Sequence, residues 1–167
     1  EPFMRSHGLC RIGETMGGRL RMQNIYDAVI DVTSKPVPGD FAELGVWRGG
    51  ATIFAKALFD MLGETDRRVH VFDAFASMPG YKGNAEFLHN DVEDVKSSFR
   101  NYGVLDDRVI WQVGLFKDTV PQFAARCQTD GTKLAVLRID GNFYDSYQDA
   151  LYYLYPLVPV GGWVIFD

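Results

Sequence analysis

From Phe41 onward the chain alternates short runs rich in β-branched and aromatic residues with longer stretches of helical apolar spacing. That rhythm predicts βαβ units, in which each crossover helix carries the chain back to lay down a parallel neighbour. The expected strands are 41–46, 69–72, 109–113, 134–139 and 163–166, and the expected helices are 51–62, 92–102, 119–127 and 147–155. Gly63 closes the first helix, Pro156 the last, and Gly161-Gly162 turns the chain into the fifth strand. Residues 73–90 read as a long polar loop. Right-handed crossovers assemble five such strands into an α/β fold, a Rossmann-like doubly wound and mostly parallel sheet. In such a sheet ligands bind beyond the carboxyl ends of the strands, where strand order reverses.

Ahead of the first strand, Ile25, Val29 and Val32 sit at helical spacing, and Pro36, Pro38 and Gly39 end that helix. Gly13–Gly18 reads as a flexible loop leading into it. The chain is therefore divided into an N-terminal helical and lid segment, 1–40, and a core, 41–167. A chain of 167 residues suffices for one hydrophobic core and not for two full domains. Its 17 basic and 22 acidic residues leave a formal net charge of −5, which argues against a nucleic-acid or anionic-membrane partner. No apolar run approaches the roughly 20 residues that span a bilayer, and no secretory apolar core is present, so a cytoplasmic setting is expected. Cys10 and Cys127 are too few and too far apart for a disulfide framework or a zinc site and read as reduced thiols.

The strand ends carry the chemistry. Glu43-Leu44-Gly45-Val46-Trp47-Arg48-Gly49-Gly50 is a glycine-rich strand-to-helix turn that is neither G-x-G-x-x-G nor a Walker A loop. Its glycines permit close approach of a ligand to the backbone, the following helix offers free N–H groups to an anion, and Arg48 is suited to a carboxylate. Turn geometry without a ligand is the alternative. Asp73 ends the second strand 23 residues after Gly50, near the spacing at which an acidic residue accepts both hydroxyls of a nucleotide ribose. Ala74 follows it at the same rim. Asp140 and Asp167 end the fourth and fifth strands, and side by side they would repel unless a cation stood between them. Such a hard oxygen pair selects magnesium or calcium. The alternative has one Asp capping a helix and the other facing water. Gly114, Phe116 and Lys117, after the third strand, are placed to flank a purine, or else form a helix start with Asp118 as N-cap. His89 is a candidate general base or a surface histidine; His7 and His70 show no partner. Tyr144, Tyr147, Tyr152, Tyr153 and Tyr155 read as helix packing.

The segments Glu43–Gly50, Val71–Pro79 (VFDAFASMP), Asn101–Asp107 (NYGVLDD), Phe116–Pro121 (FKDTVP) and Leu137–Asp167 resemble the macrocin O-methyltransferase family, of TylF/MycF type, in register from about Glu14. The resemblance implies a class I methyltransferase that uses S-adenosylmethionine and Mg²⁺ to methylate a hydroxyl of a sugar-like or other small natural-product acceptor. It implies that Glu43–Gly50 holds the methionine end of the cofactor, Asp73 the ribose, and Thr15-Met16 part of a lid. The expected cofactor contacts are thus Thr15, Met16, Glu43, Gly45, Arg48, Gly49, Gly50, Asp73, Ala74, Gly114, Phe116 and Lys117. Asp140 and Asp167 are the expected metal ligands, and the loop 81–90 is expected to cover the acceptor. Homo-oligomerisation is left open.

Two departures from the family pattern bear on catalysis. The family's Asp-Gly-Asp is here Asp140-Gly141-Asn142, and Asn142 cannot take a proton, which leaves Asp140, Asp145 or His89 as nominees for the base. The second Asp of the pair after strand five, and the last two strands of a seven-stranded sheet, are expected to be missing. A non-catalytic module that binds S-adenosylmethionine or a nucleotide is therefore the main alternative. A dinucleotide-dependent oxidoreductase is disfavoured by the absent G-x-G-x-x-G.

Overall fold

The structure is a computed structural model that describes residues 13–76 and 85–167. His7, Cys10 and residues 81–84 of the loop expected over the acceptor lie outside the described residues. Helix α1 (Arg19–Ser34) precedes β1 (Asp40–Leu44), α2 (Gly50–Met61), β2 (Val69–Asp73), the short α3 (Ala85–Leu88) and α4 (Val92–Asn101). Then follow β3 (Val109–Val113), α5 (Phe116–Asp130), β4 (Leu134–Ile139), α6 (Tyr144–Leu154), a 3₁₀ turn (Tyr155–Leu157) and β5 (Trp163–Phe166). The strands form one sheet in the order β3-β2-β1-β4-β5, and every pairing is parallel. Strand order reverses between β1 and β4, which is where a doubly wound sheet opens a crevice.

Successive side chains of a strand point to opposite faces, so the parallel register sorts the sheet into two layers. Phe41, Val136, Trp163 and Ile165 pack with α1, α2 and α4, whose Ile25, Val29, Ile53, Phe59, Val95 and Phe99 form the first core. Ala42, Leu44, Leu137, Ile139 and Val164 pack with Val120, Phe123 and Ala124 of α5 and Ala150 and Leu154 of α6. All six residues of β4 are buried, as expected for a central parallel strand covered on both faces.

Local differences from the sequence expectations have identifiable causes. Helix α5 starts at Phe116, not 119, and its N-cap is Leu115, so Asp118 lies in the first turn and does not cap. Pro121 lies inside the helix, a turn beyond its start. Asp118 still gains from the positive end of the helix. Part of the expected loop forms α3. His70, with no partner visible in sequence, meets Asp40 Oδ2 at 2.9 Å across the start of the sheet. Tyr147 and Tyr153 pack against the second core, whereas Tyr144, Tyr152 and Tyr155 are exposed and do not serve as packing. In β5, Trp163, Val164 and Ile165 are half-buried and Phe166 is exposed.

Candidate functional site

The crevice between β1 and β4 is closed at its base by Gly45, whose φ is +88°. A side chain there would overlap the carbonyl oxygen of Asp140, so only glycine lets the two strand ends approach this closely. The Gly45 N–H donates to the Phe72 carbonyl at 2.8 Å, which ties the turn to β2 as well. The other two glycines of the turn are also demanded from within the chain. A Cβ at Gly49 would lie 2.7 Å from the Phe99 ring, and one at Gly50 would overlap Glu14. The first N–H of α2 is taken: Gly50 donates it to the Glu14 carbonyl at 2.8 Å.

Asp73 is the hub of the crevice. The backbone N–H of Trp47 donates to its Oδ2 at 3.1 Å and that of Phe75 to its Oδ1 at 3.0 Å. Trp47 (φ 51°) and Phe75 (φ 48°) are two of the three non-glycine residues with positive φ among the described residues. Bulky side chains occupy that region at a cost and cluster where a site needs the backbone aimed. Burial pushes the Asp73 carboxyl above its ordinary value, against the pull of the backbone N–H groups around it. A carboxylate has about four acceptor positions, and the Trp47 and Phe75 N–H groups take one on each oxygen.

A cavity of about 350 Å³ opens from this point, inside the roughly 300–1,000 Å³ range of small-molecule sites. Met16, Gly45, Trp47, Asp73, Ala74, Phe116 and Lys117 line one part of it, and Asp140, Asn142, Phe143, Asp145, Ser146 and Asp149 another. A second cavity of about 160 Å³ is bounded by Thr15, Met16, Arg21, Glu43, Gly45, Trp47, Arg138 and Asp140. Of the residues expected at the site, Arg48, Gly49, Gly50, Gly114, Asp167 and His89 line neither cavity. Arg48 instead sits 4.5 Å over the Trp47 ring and reaches the Gly13 carbonyl at 3.4 Å. Leu88, Phe143, Ser146 and Asp149 join the wall without having been expected there. Asp145 and Asp149 are one helical turn apart at the start of α6, a spacing that would have marked them.

Beneath the cavities, one guanidinium serves three carboxylates. Glu43, Arg138, Asp140 and Asp167 share one face of β1, β4 and β5. Arg138 Nη1 donates to Glu43, and its Nη2 donates to Asp140 at 3.1 Å and to Asp167. Thr52 donates to the other Glu43 oxygen, and Arg21 meets Asp167 Oδ1 at 2.6 Å. The cation required between the two rim carboxylates is thus provided by the chain itself. Burial raises the Asp140 carboxyl, Arg138 opposes that rise, and Asp167 adds to it. Two carboxylates on adjacent strand ends suit a divalent cation in kind. Among the described residues no group of three or more His, Cys, Asp or Glu side chains converges as a metal centre, and no helix is long and apolar enough to cross a membrane.

Residues 4–167 match the profile of the Macrocin-O-methyltransferase (TylF) family. The chain belongs to that family. Among the relatives of this TylF-family chain, the demethyldecarbamoylnovobiocin O-methyltransferase of Streptomyces niveus is 45% identical over 92% of the chain and 61% of its own length. The 8-demethyl-8-(2,3-dimethoxy-alpha-L-rhamnosyl)-tetracenomycin-C 4'-O-methyltransferase of Streptomyces olivaceus is 40% identical over 93% of the chain and 62% of its own length. The solved structure of the O-methyltransferase NovP superposes with a TM-score of 0.81 at 42% identity, over 92% of the chain and 66% of that structure. The calicheamicin methyltransferase CalS11, 23% identical with a TM-score of 0.71, shares the fold. The TylF-family chain therefore spans about three-fifths of the length of the curated relatives it matches.

Proposed function

We propose that this chain belongs to an S-adenosylmethionine-dependent, Mg²⁺-assisted O-methyltransferase acting on a hydroxyl of a sugar-like or other small natural-product acceptor. The observation that carries the reading is Asp73, a half-buried carboxylate fixed by the Trp47 and Phe75 N–H groups in the wall of a cavity that Asp140, Asn142, Asp145 and Asp149 also line. The family membership supports it.

In this reading Asp73 accepts the two ribose hydroxyls, Gly45 and Trp47 face the methionine portion, and Ala74, Phe116 and Lys117 flank the purine. Thr15 and Met16 close the site from the N-terminal side. When bound, S-adenosylmethionine would supply an electrophilic methyl group on a sulfonium; a magnesium ion, which would make a substrate hydroxyl more acidic, would take Asp140 and Asp167 as ligands only by displacing the Arg138 and Arg21 guanidiniums that hold them here. The protein's own work is positioning: walls from α6 and α3 orient the acceptor toward the cofactor side and exclude water. The carboxylates lining the cavity favour a cationic cofactor over an anionic one.

Calorimetry with S-adenosylmethionine, followed by turnover on vicinal-diol sugars with and without Mg²⁺, tests the proposal on the full-length protein. Binding with metal-dependent turnover is expected. Binding without turnover would favour a non-catalytic module, the reading that Asn142 supports.

A further inference from the structure

Trp47 is held from four directions. Its backbone N–H donates to Asp73, its indole N–H donates to the Phe87 carbonyl at 3.0 Å, its ring lies 5.3 Å from the Phe87 ring, and Arg48 covers it at 4.5 Å. The side chain is 8% exposed and forms part of the wall of both cavities. Turning the chain after β1 does not require tryptophan. At φ 51° glycine would sit without strain, whereas a bulky side chain is disfavoured. The side chain therefore has a use that outweighs that cost.

Its use lies in α3. A helix of four residues, Ala85–Leu88, has no stability of its own, because nucleation alone exceeds what one turn returns. It stays in place only through tertiary contacts, and Trp47 supplies both a hydrogen bond and a ring contact to Phe87. The next residue, Leu88, lines the large cavity together with Asn142 and Asp145. We propose that Trp47 is a positioning residue that fixes α3, and with it the Leu88 wall of the acceptor side, relative to Asp73. The inference rests on the methyltransferase reading for the names of the two sides, while the linkage itself is geometric. One residue then registers the two halves of the site: its backbone orients the Asp73 carboxylate and its side chain sets the wall against which the acceptor lies.

Trp47→Phe tests this, since it keeps a ring and the backbone N–H and removes the indole donor. Amide hydrogen exchange at residues 85–90 is expected to rise about tenfold, the equivalent of one net hydrogen bond. The acceptor KM is expected to rise by about the same factor, and by more than S-adenosylmethionine affinity falls. Phe87→Ala, which removes the ring contact from the other side, is expected to raise the same exchange and supplies the test should Trp47→Phe fail to fold. Unchanged exchange at 85–90 in these variants, or cofactor affinity falling in step with acceptor affinity, overturns the proposal. A wild-type protein that binds no S-adenosylmethionine overturns the methyltransferase reading instead, and the exchange comparison still decides the linkage.

Discussion

Glu43 on β1 and Arg138 on β4 are register partners, and their side chains form an ion pair sealed inside the sheet, 1% and 4% exposed. Burial pushes the Glu43 carboxyl up to about 7, although Arg138 and Thr52 both pull it down. Asp140 and Asp167 compete for the same guanidinium, so Glu43 receives only part of its charge. The folded protein thus retains a proton that the unfolded chain releases near 4.5. With a raised carboxyl the stability contribution is complete below the unfolded value and is lost as pH climbs through about 7. Glu43→Gln removes that slope. Denaturant unfolding of both proteins at pH 5 and pH 8 is expected to show wild type losing up to about 3 kcal/mol relative to the variant. Parallel pH profiles would sink the assignment.

Asp73→Asn presents an amide N–H₂ to one of two backbone donors, so one of the Trp47 and Phe75 N–H groups loses its acceptor. On the proposed reading a ribose hydroxyl loses one too. Hydrogen bonds to a charged group are worth about 1.5–3 kcal/mol, so calorimetry is expected to show S-adenosylmethionine binding weakened by about 10- to 100-fold. Affinity within threefold of wild type would remove Asp73 from the cofactor site.

What the sequence could reveal follows from how far each determinant reaches. Strands β3, β4 and β5 were legible to the residue because each is a short run of β-branched, aromatic and other apolar residues bounded by turn residues. The start of α5 was placed three residues late because Asp118 reads locally as an N-cap, whereas the helix begins at Phe116 and leaves Asp118 in its first turn. At the turn, the glycines were legible and their cause was not. Gly45 answers to Asp140, Gly49 to Phe99 and Gly50 to Glu14, and no window of sequence contains those pairs. Strand order alone puts Asp140 and Asp167 at the ends of neighbouring strands. That Arg138 stands between them required knowing that β4 and β5 present these residues on one face, and Arg48, promising in sequence, is spent on Trp47 and Gly13.

Gly45→Ala sets a Cβ against the Asp140 carbonyl and forces alanine to a φ of +88°. Neither β1 nor β4 can yield without opening the crevice, so a loss of about 3 kcal/mol or more is expected in denaturant unfolding. Gly131, at the C-cap of α5 with φ +80° and open space around it, is the control. Alanine there meets only the left-handed backbone cost of about 1–2 kcal/mol. Equal losses at the two positions would refute the close-approach account.

Cys127 lies on the inner face of α5, and burial, with Asp130 adding to it, pushes its thiol up to about 11. The thiolate is the reactive species, so at pH 8 only roughly one molecule in a thousand is poised to react. Mass spectrometry after treatment with a thiol-alkylating reagent is expected to find the Cys127 peptide unmodified in folded protein and fully modified in urea. Because the folded value exceeds the unfolded one of 9.0, the group's contribution to stability is lost as pH rises from 9 towards 11. Rapid native labelling would contradict the burial.

On the proposed methyltransferase reading, a carboxylate at position 142 would be placed to take the proton of the acceptor hydroxyl. Asn142 lines the large cavity beside Asp140 and Asp145, whereas His89 is exposed and lines neither cavity. An amide cannot accept a proton, and a positioned general base contributes about 10²–10⁴-fold. Restoring a carboxylate in Asn142→Asp therefore has room to raise kcat, by about tenfold or more, with the acceptor KM little changed because the side chain keeps its size. The rate should also acquire an acidic limb as that carboxylate protonates. His89→Ala is expected to leave kcat within about twofold, since its imidazole lies outside both cavities. A kcat unmoved by Asn142→Asp would place the base elsewhere on the cavity wall, with Asp145 the next side chain to replace.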